Sequence, residues 1–211
     1  MRDKVLLLTV NDRDSLYGLT KNEYAAIQPN IGMALLASYL ELKGIEVEMI
    51  DETSGLSNAD IIDKIESEQP VLFGVICSGA NPSASTMSMV GAIKFFKQLG
   101  LRKLNSKGFV QGGHPSVLPK RTLKETGADF VIQGEGYKTI EWLYYAIFKN
   151  KDYSSIKGLV FFKDGKYIHN GFPELIDLID LPMVNWDKMN PKKYRAHDWH
   201  AFDDINHRSP Y

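Results

Sequence analysis

The chain has 211 residues, 44% hydrophobic and 24% charged, with a formal net charge of −1; this fits one sizeable core and gives no broad electrostatic pull toward nucleic acid or an anionic membrane. Its apolar runs fall short of the about 20 residues that a bilayer-crossing helix needs, and the start, MRDKVLLLTVNDRD, turns acidic too soon for a secretory signal. A single cysteine, Cys77, excludes an intrachain disulfide framework and any cluster held by several thiolates of this chain, so the simplest placement is the cytoplasm.

Strand-like and helix-like segments alternate from residue 4 to about 148. VLLLTV (5–10) is a short continuous apolar run, the mark of a parallel strand covered on both faces. IGMALLASYLELKG (31–44) puts Met33, Leu36, Ala37 and Leu40 on one helical face and stops at Gly44. IEVEMID (45–51) reads as the second strand. NADIIDKIESE (58–68) reads as the second helix, capped by Asn58 and facing inward at Ile61, Ile62 and Ile65. VLFGVICS (71–78) is a buried strand, and ASTMSMVGAIKFFKQLG (84–100) a helix ending at Gly100. GFVQGG (108–113), KRTLKETG (120–127), DFVIQG (129–134) and KTIEWLYYAIFKN (138–150) complete five β–α units. The alternation implies parallel pairing, right-handed crossovers and helices on both faces. The expected fold is α/β: a five-stranded doubly wound parallel sheet, flavodoxin-like or Rossmann-like, in the order 2-1-3-4-5.

Beyond residue 150 the texture changes. IKGLVFFKDGKYIHNG (156–171) holds two strand-like runs around Asp164-Gly165, a turn pair suited to a β-hairpin. Residues 173–211 show no sustained period and read as an irregular C-terminal arm that needs another surface to pack on. The expected boundaries are therefore 1–150, 151–172 and 173–211.

In an open parallel sheet the ligand crevice lies outside the carboxyl ends of the strands. Here those ends carry the unusual connections: residues 11–30 after the first strand, where about 2–6 would be ordinary, SGANPSAS after the third, GGHPSVLP after the fourth and GEGYK after the fifth. The opposite ends carry plain turns. This asymmetry points to a rim opened for something large to approach main chain, although Gly112 and Gly113 would also serve a tight β–α turn. No G-x-G-x-x-G follows the first strand, and GEGYKT matches no phosphate-cradling loop.

Set together, QPNIGMALLASYLELKGIEVEMID, GGHPSVLP, ADFVIQGEGYKTIEWL, IKGLVFFKDGK and DLPMVNWDKMNPKKY resemble the N-terminal cobalamin-binding domain of cobalamin-dependent radical S-adenosylmethionine enzymes, in that family's order and over nearly the whole chain. The resemblance implies cobalamin on the carboxyl rim, with its nucleotide tail between the loops and the sheet. It implies cofactor contacts from Asn11, Pro29, Gly32, Ser78, Gly79, Ser83, Gly112, Gly113, His114, Pro115, Gly134, Glu135 and Gly136. Three departures stand out. The Asp-x-His-x-x-Gly motif that supplies an imidazole to cobalt in many cobalamin proteins is missing, since residues 11–30 contain no histidine. Asp198-Trp199-His200 matches it only superficially, with Asp203 in place of glycine. The Gly-Gly loop lacks a residue often seen before its histidine, and the usual second acid after Gly-Glu-Gly is Tyr137. The resemblance thus implies base-off cobalamin without a histidine ligand from the usual position.

Alternatives stand beside several assignments. His114 either touches the cofactor or caps its turn; Ser78, Ser83 and Ser85 either bind the cofactor or cap a helix; Glu135 either accepts from the cofactor or complements the next helix dipole. Cys77 reads as a small buried apolar residue. His197, His200 and His207 lie near Asp198, Asp203 and Asp204 without metal-ligand spacing, and no metal is assigned. Trp186, Tyr194, Trp199 and Phe202 read as anchors for a catalytic domain. The expected function is that of a cobalamin-binding module, silent alone, within a longer radical S-adenosylmethionine enzyme, a methyltransferase. Its [4Fe–4S] cluster and S-adenosylmethionine would belong to a C-terminal domain beyond Tyr211, because one cysteine cannot hold the cluster. The alternative is a self-sufficient flavodoxin-like or nucleotide-sugar-binding enzyme using the same crevice.

Overall fold

A computed structural model describes residues 2–10, 12–14, 18, 26–79, 82–189 and 191–195. Strand β1 (Arg2–Leu8) is followed by helix α1 (Ile31–Leu42), β2 (Glu46–Ile50), α2 (Asn58–Glu68), β3 (Pro70–Cys77) and α3 (Pro82–Leu99). Then come β4 (Lys107–Gly112), α4 (Gly113–Val117), α5 (Pro119–Thr126), β5 (Phe130–Ile132), α6 (Tyr137–Phe148), β6 (Leu159–Lys163), β7 (Lys166–His169) and α7 (Trp186–Met189).

The strands form one sheet in the order β2-β1-β3-β4-β5-β6-β7. The first five are parallel, in the expected order, and β6 and β7 are antiparallel. The hairpin at Asp164-Gly165 thus continues the sheet, because β6 pairs with β5 through Leu159, Val160 and Phe161. Alternate residues of the buried strands feed two cores. Val5, Leu7, Leu72, Ile76, Phe109 and Ile132 pack under α1 and α6 through Met33, Leu36, Leu40, Ile140 and Leu143. Leu6, Leu8, Phe73, Val75 and Val110 pack under α2 and α3 through Ile61, Ile62, Ile65, Phe95 and Phe96. Burial on both faces is why these strands read as unbroken apolar runs.

Three local expectations are corrected. The cap of α2 is Ser57, not Asn58: its hydroxyl accepts from Asp60 N–H while the Asp60 carboxylate accepts from Ser57 N–H, a full capping box. The segment after β4 is not irregular. It enters a helical turn at once, since Pro115 sits in the first turn, where its missing N–H costs nothing, and Leu118 N–H closes on the His114 carbonyl. The third concerns the arm: Val184, Met189 and Tyr194 pack on this domain, while Leu175, Leu178, Ile179 and Met183 stay exposed. Tyr194, 3% exposed, clusters with Met189 and Ala34 and donates to the Asp51 carboxylate. Ile27 and Arg195 exchange backbone hydrogen bonds, and Asn185 N–H donates to Ser38. Trp199, Phe202 and the histidine–aspartate group at 197–207 lie outside the described residues. No helix among the described residues is long and apolar enough to cross a membrane.

Candidate functional site

The carboxyl ends of β3, β4 and β5 open on a cleft of about 460 Å³ on the face covered by α1 and α6. Its walls are Gly32 and Leu36 of α1, Ser78 after β3, Gln111 to Gly113 at the end of β4, Ser116 and Val117 of α4, Gly134 and Glu135 after β5, and Tyr137 at the start of α6. Glu135 is the one charged side chain among these. A second hollow of about 370 Å³ adjoins it, walled by residues 28–32, Ser78 and Gly79. Gly32 and Ser78 belong to both, so the rim is one broad, nearly uncharged ledge with much main chain on its surface.

Short polar ties fix the walls. Asn30 caps α1: its Oδ1 accepts from Met33 N–H at 3.0 Å and from the Ser78 hydroxyl at 2.9 Å. Its Nδ2 is a buried donor without a hydrogen-bond partner among the described residues. Ser116 joins two loops, donating to the Gly112 carbonyl at 2.6 Å and accepting from Gly134 N–H at 2.9 Å. Gln111 Nε2 donates to the Gly134 carbonyl at 2.8 Å. Ser85 donates to the Cys77 carbonyl and accepts from His114 N–H, locking the start of α4 to the end of β3. Cys77 is fully buried, and that burial pushes its thiol up to about 12, so it is packing and not chemistry.

The expected contact residues divide. Pro29, Gly32, Ser78, Gly79, Gly113, Gly134 and Glu135 form the ledge, with Gly112 at its back. Glu135 leaves α6 uncapped by any side chain and stands exposed at the mouth. Gly112 has φ +146°, and a Cβ there would lie 1.9 Å from the Cys77 carbonyl oxygen. Gly136, at φ +77°, turns the chain into α6 against Ile132. His114 is not in the cleft wall: its ring Nδ1 lies 3.2 Å from Thr86 Oγ1. Pro115 is buried and Ser83 is exposed in the first turn of α3, both away from the wall. Asn11 lies outside the described residues. Asn30, Leu36, Gln111, Ser116 and Tyr137 escaped notice as wall residues, because each reads as an ordinary cap, core or strand position.

Residues 19–143 match the model of the B12 binding domain. The chain belongs to the B12-binding family. It is 30% identical over 173 residues to an uncharacterized methyltransferase of Pyrococcus horikoshii, covering 80% of this chain and 36% of that protein. It is 26% identical over 172 residues to the anaerobic magnesium-protoporphyrin IX monomethyl ester cyclase of a Synechocystis species, covering 79% and 33%. The chain thus spans about a third of the length of these curated relatives. Its fold matches the cobalamin-dependent S-adenosylmethionine radical enzyme OxsB solved with aqua-cobalamin and S-adenosylmethionine, with TM-score 0.66 and 19% identity over 89% of this chain and 24% of that one. It also matches the radical S-adenosylmethionine methyltransferase TsrM of Kitasatospora setae, solved with cobalamin and a [4Fe–4S] cluster, with TM-score 0.62 and 18% identity over 87% and 31%.

The ledge fits a corrinoid chemically. The ring carries neutral amide side chains, which want hydrogen-bond donors and acceptors and not compensating charge. The Asn30 amide, the Ser78 hydroxyl, Gln111 and the glycine main chain offer these.

Proposed function

We propose that this chain is the cobalamin-binding module of a cobalamin-dependent radical S-adenosylmethionine enzyme, a methyltransferase. One observation carries the reading: the glycine-lined, nearly uncharged ledge at the strand ends lies within the stretch matched by the B12-binding family. In this reading Pro29, Gly32, Ser78, Gly79, Gly113, Gly134 and Glu135 line the seat of the corrinoid, and Gly112 and Gly136 shape it. Its nucleotide tail enters the cleft between α1 and α6. Both helices begin there, so their N-terminal N–H groups favour the tail phosphate. Asn30 Nδ2 supplies a preformed donor for an amide carbonyl of the ring. With the tail held in that cleft the cofactor sits base-off, and residues 11–30 offer no histidine to take the place of its base on cobalt. When bound, cobalamin supplies the cobalt–carbon chemistry of methyl transfer; the residues here bind and orient it.

The [4Fe–4S] cluster and S-adenosylmethionine belong to a further domain of the same polypeptide. The greater length of the relatives supports this, as do the exposed Phe172, Leu175, Leu178, Ile179 and Met183, which a partner surface would cover. The chain alone is a binding module without catalytic activity. The test is to mix it with hydroxocobalamin, separate it by gel filtration and record the visible spectrum. Co-elution with a base-off spectrum is expected. Retention of flavin or nucleotide in place of corrinoid, or of no ligand, overturns the reading.

A further inference from the structure

Tyr137 is the second-acid position of the Gly-Glu-Gly loop and the first residue of α6. It is 7% exposed, and its ring meets Tyr39 edge-on with centroids 5.3 Å apart. Tyr39 spends its hydroxyl on Glu141. Among the described residues the Tyr137 hydroxyl has no hydrogen-bond partner, although the residue forms part of the cleft wall. Its ring is buried, but the hydroxyl is not among the sealed polar atoms and opens on the cleft, where a ligand can meet it. Leu36 and the main chain of Gly112, Gly113 and Gly134 line the same cleft, which is large enough to admit a planar ring.

We infer that Tyr137 selects the lower base of the corrinoid by donating its hydroxyl to a ring nitrogen of that base. The inference rests on the cobalamin reading above. In base-off cobalamin the benzimidazole nitrogen is released from cobalt and is an acceptor in need of a donor. Burial and the Glu135 charge push the phenol up to about 12, so it keeps its proton across the physiological range.

The experiment compares two corrinoids on the purified chain: hydroxocobalamin, and the analogue in which p-cresol replaces the benzimidazole and offers no ring nitrogen. Dissociation constants are measured by tryptophan quenching for wild type and Tyr137→Phe. The substitution keeps the ring and its contact with Tyr39. It is expected to weaken cobalamin about fivefold and leave the p-cresol analogue unchanged, which also shows that the variant is folded. If Tyr137→Phe leaves the ratio of the two constants unaltered, the selective role is overturned while corrinoid binding stands. If wild type binds neither corrinoid, the cobalamin reading itself fails, and this inference with it.

Discussion

Gly112 and Gly113 are adjacent in sequence and opposite in purpose. Gly112 sits at φ +146° with no room for a Cβ beside the Cys77 carbonyl, so it serves the close approach of β4 to β3. Gly113 has no positive φ; a Cβ there would meet Ser85 at an ordinary 3.6 Å, and its open side faces the cleft. Gly112→Ala is therefore expected to destabilise the fold by about 3 kcal/mol, through steric overlap and backbone strain, seen as a lowered thermal midpoint. Gly113→Ala is expected to melt within about 0.5 kcal/mol of wild type, because its methyl group meets only Ser85, at van der Waals distance. Equal stability losses in both variants would refute this division. The sequence pattern pointed to a bare-backbone site here. It could not divide the labour, which depends on the β3–β4 register and the position of Ser85.

Between elements, the centre of the sheet is held by a reciprocal exchange of glycine and phenylalanine. Phe73 pairs with Gly108 and Gly74 with Phe109. A Cβ on Gly74 would fall 2.0 Å from the Phe109 ring, and one on Gly108 would fall 2.4 Å from the Phe73 ring. Each ring lies over its neighbour's glycine, one on each face, which removes the usual weakness of glycine within a strand. Gly74→Ala is expected to cost about 2–3 kcal/mol by overpacking, and adding Phe109→Leu should recover part of that loss in a double-mutant cycle. Strict additivity would disprove the coupling. The apolar runs made these strands legible as strands, but which glycine faces which ring is a property of pairing and was not readable from either strand alone. At the amino ends of the strands, Lys4 is held by Glu48 and Glu68, and Lys64 joins the same pair. Burial alone would raise Glu68, but the two lysines outweigh it and bring it to about 2 from its ordinary 4.5. A carboxylate lowered in the folded state stabilises fully above 4.5 and ceases to do so as pH falls toward 2. Glu68→Gln should therefore cost about 1–2 kcal/mol near neutrality, and the gap to wild type should close on acidification through that window. A gap independent of pH would rule out this origin.

The molecule is polar along its strands: the amino ends of β1 and β2 carry the Lys4–Glu48–Glu68–Lys64 cluster, and the carboxyl ends of β3, β4 and β5 carry a ledge of small, nearly uncharged residues. That polarity was legible before any coordinates, because loop length and glycine content differ so sharply between the two ends. The anchoring of the arm was not: Tyr194 reaches Asp51 across 143 positions, and no local period announces such a contact. Its effect is to tie residues 184–189 and 191–195 beside the Pro29–Asn30 side of the ledge, through the Ile27–Arg195 bridge. Corrinoid binding would draw on α1, α4, α6 and the ends of β3, β4 and β5 together, and a ligand that bridges so many elements stabilises only the folded chain. At a free concentration one hundred times its dissociation constant, such a ligand adds about 2.7 kcal/mol. For a chain of this size that raises the thermal midpoint by about 5–10 °C. Hydroxocobalamin is expected to produce this rise, growing with the logarithm of its concentration, in the wild-type chain. In Tyr194→Phe, which loses the tie to Asp51, the ligand-free midpoint should fall while the cobalamin-dependent increment persists, since the arm supports the ledge without forming the floor of the cleft. Loss of the increment in that variant would make the arm part of the binding surface, and absence of any increment in wild type would show that the ledge does not hold the corrinoid.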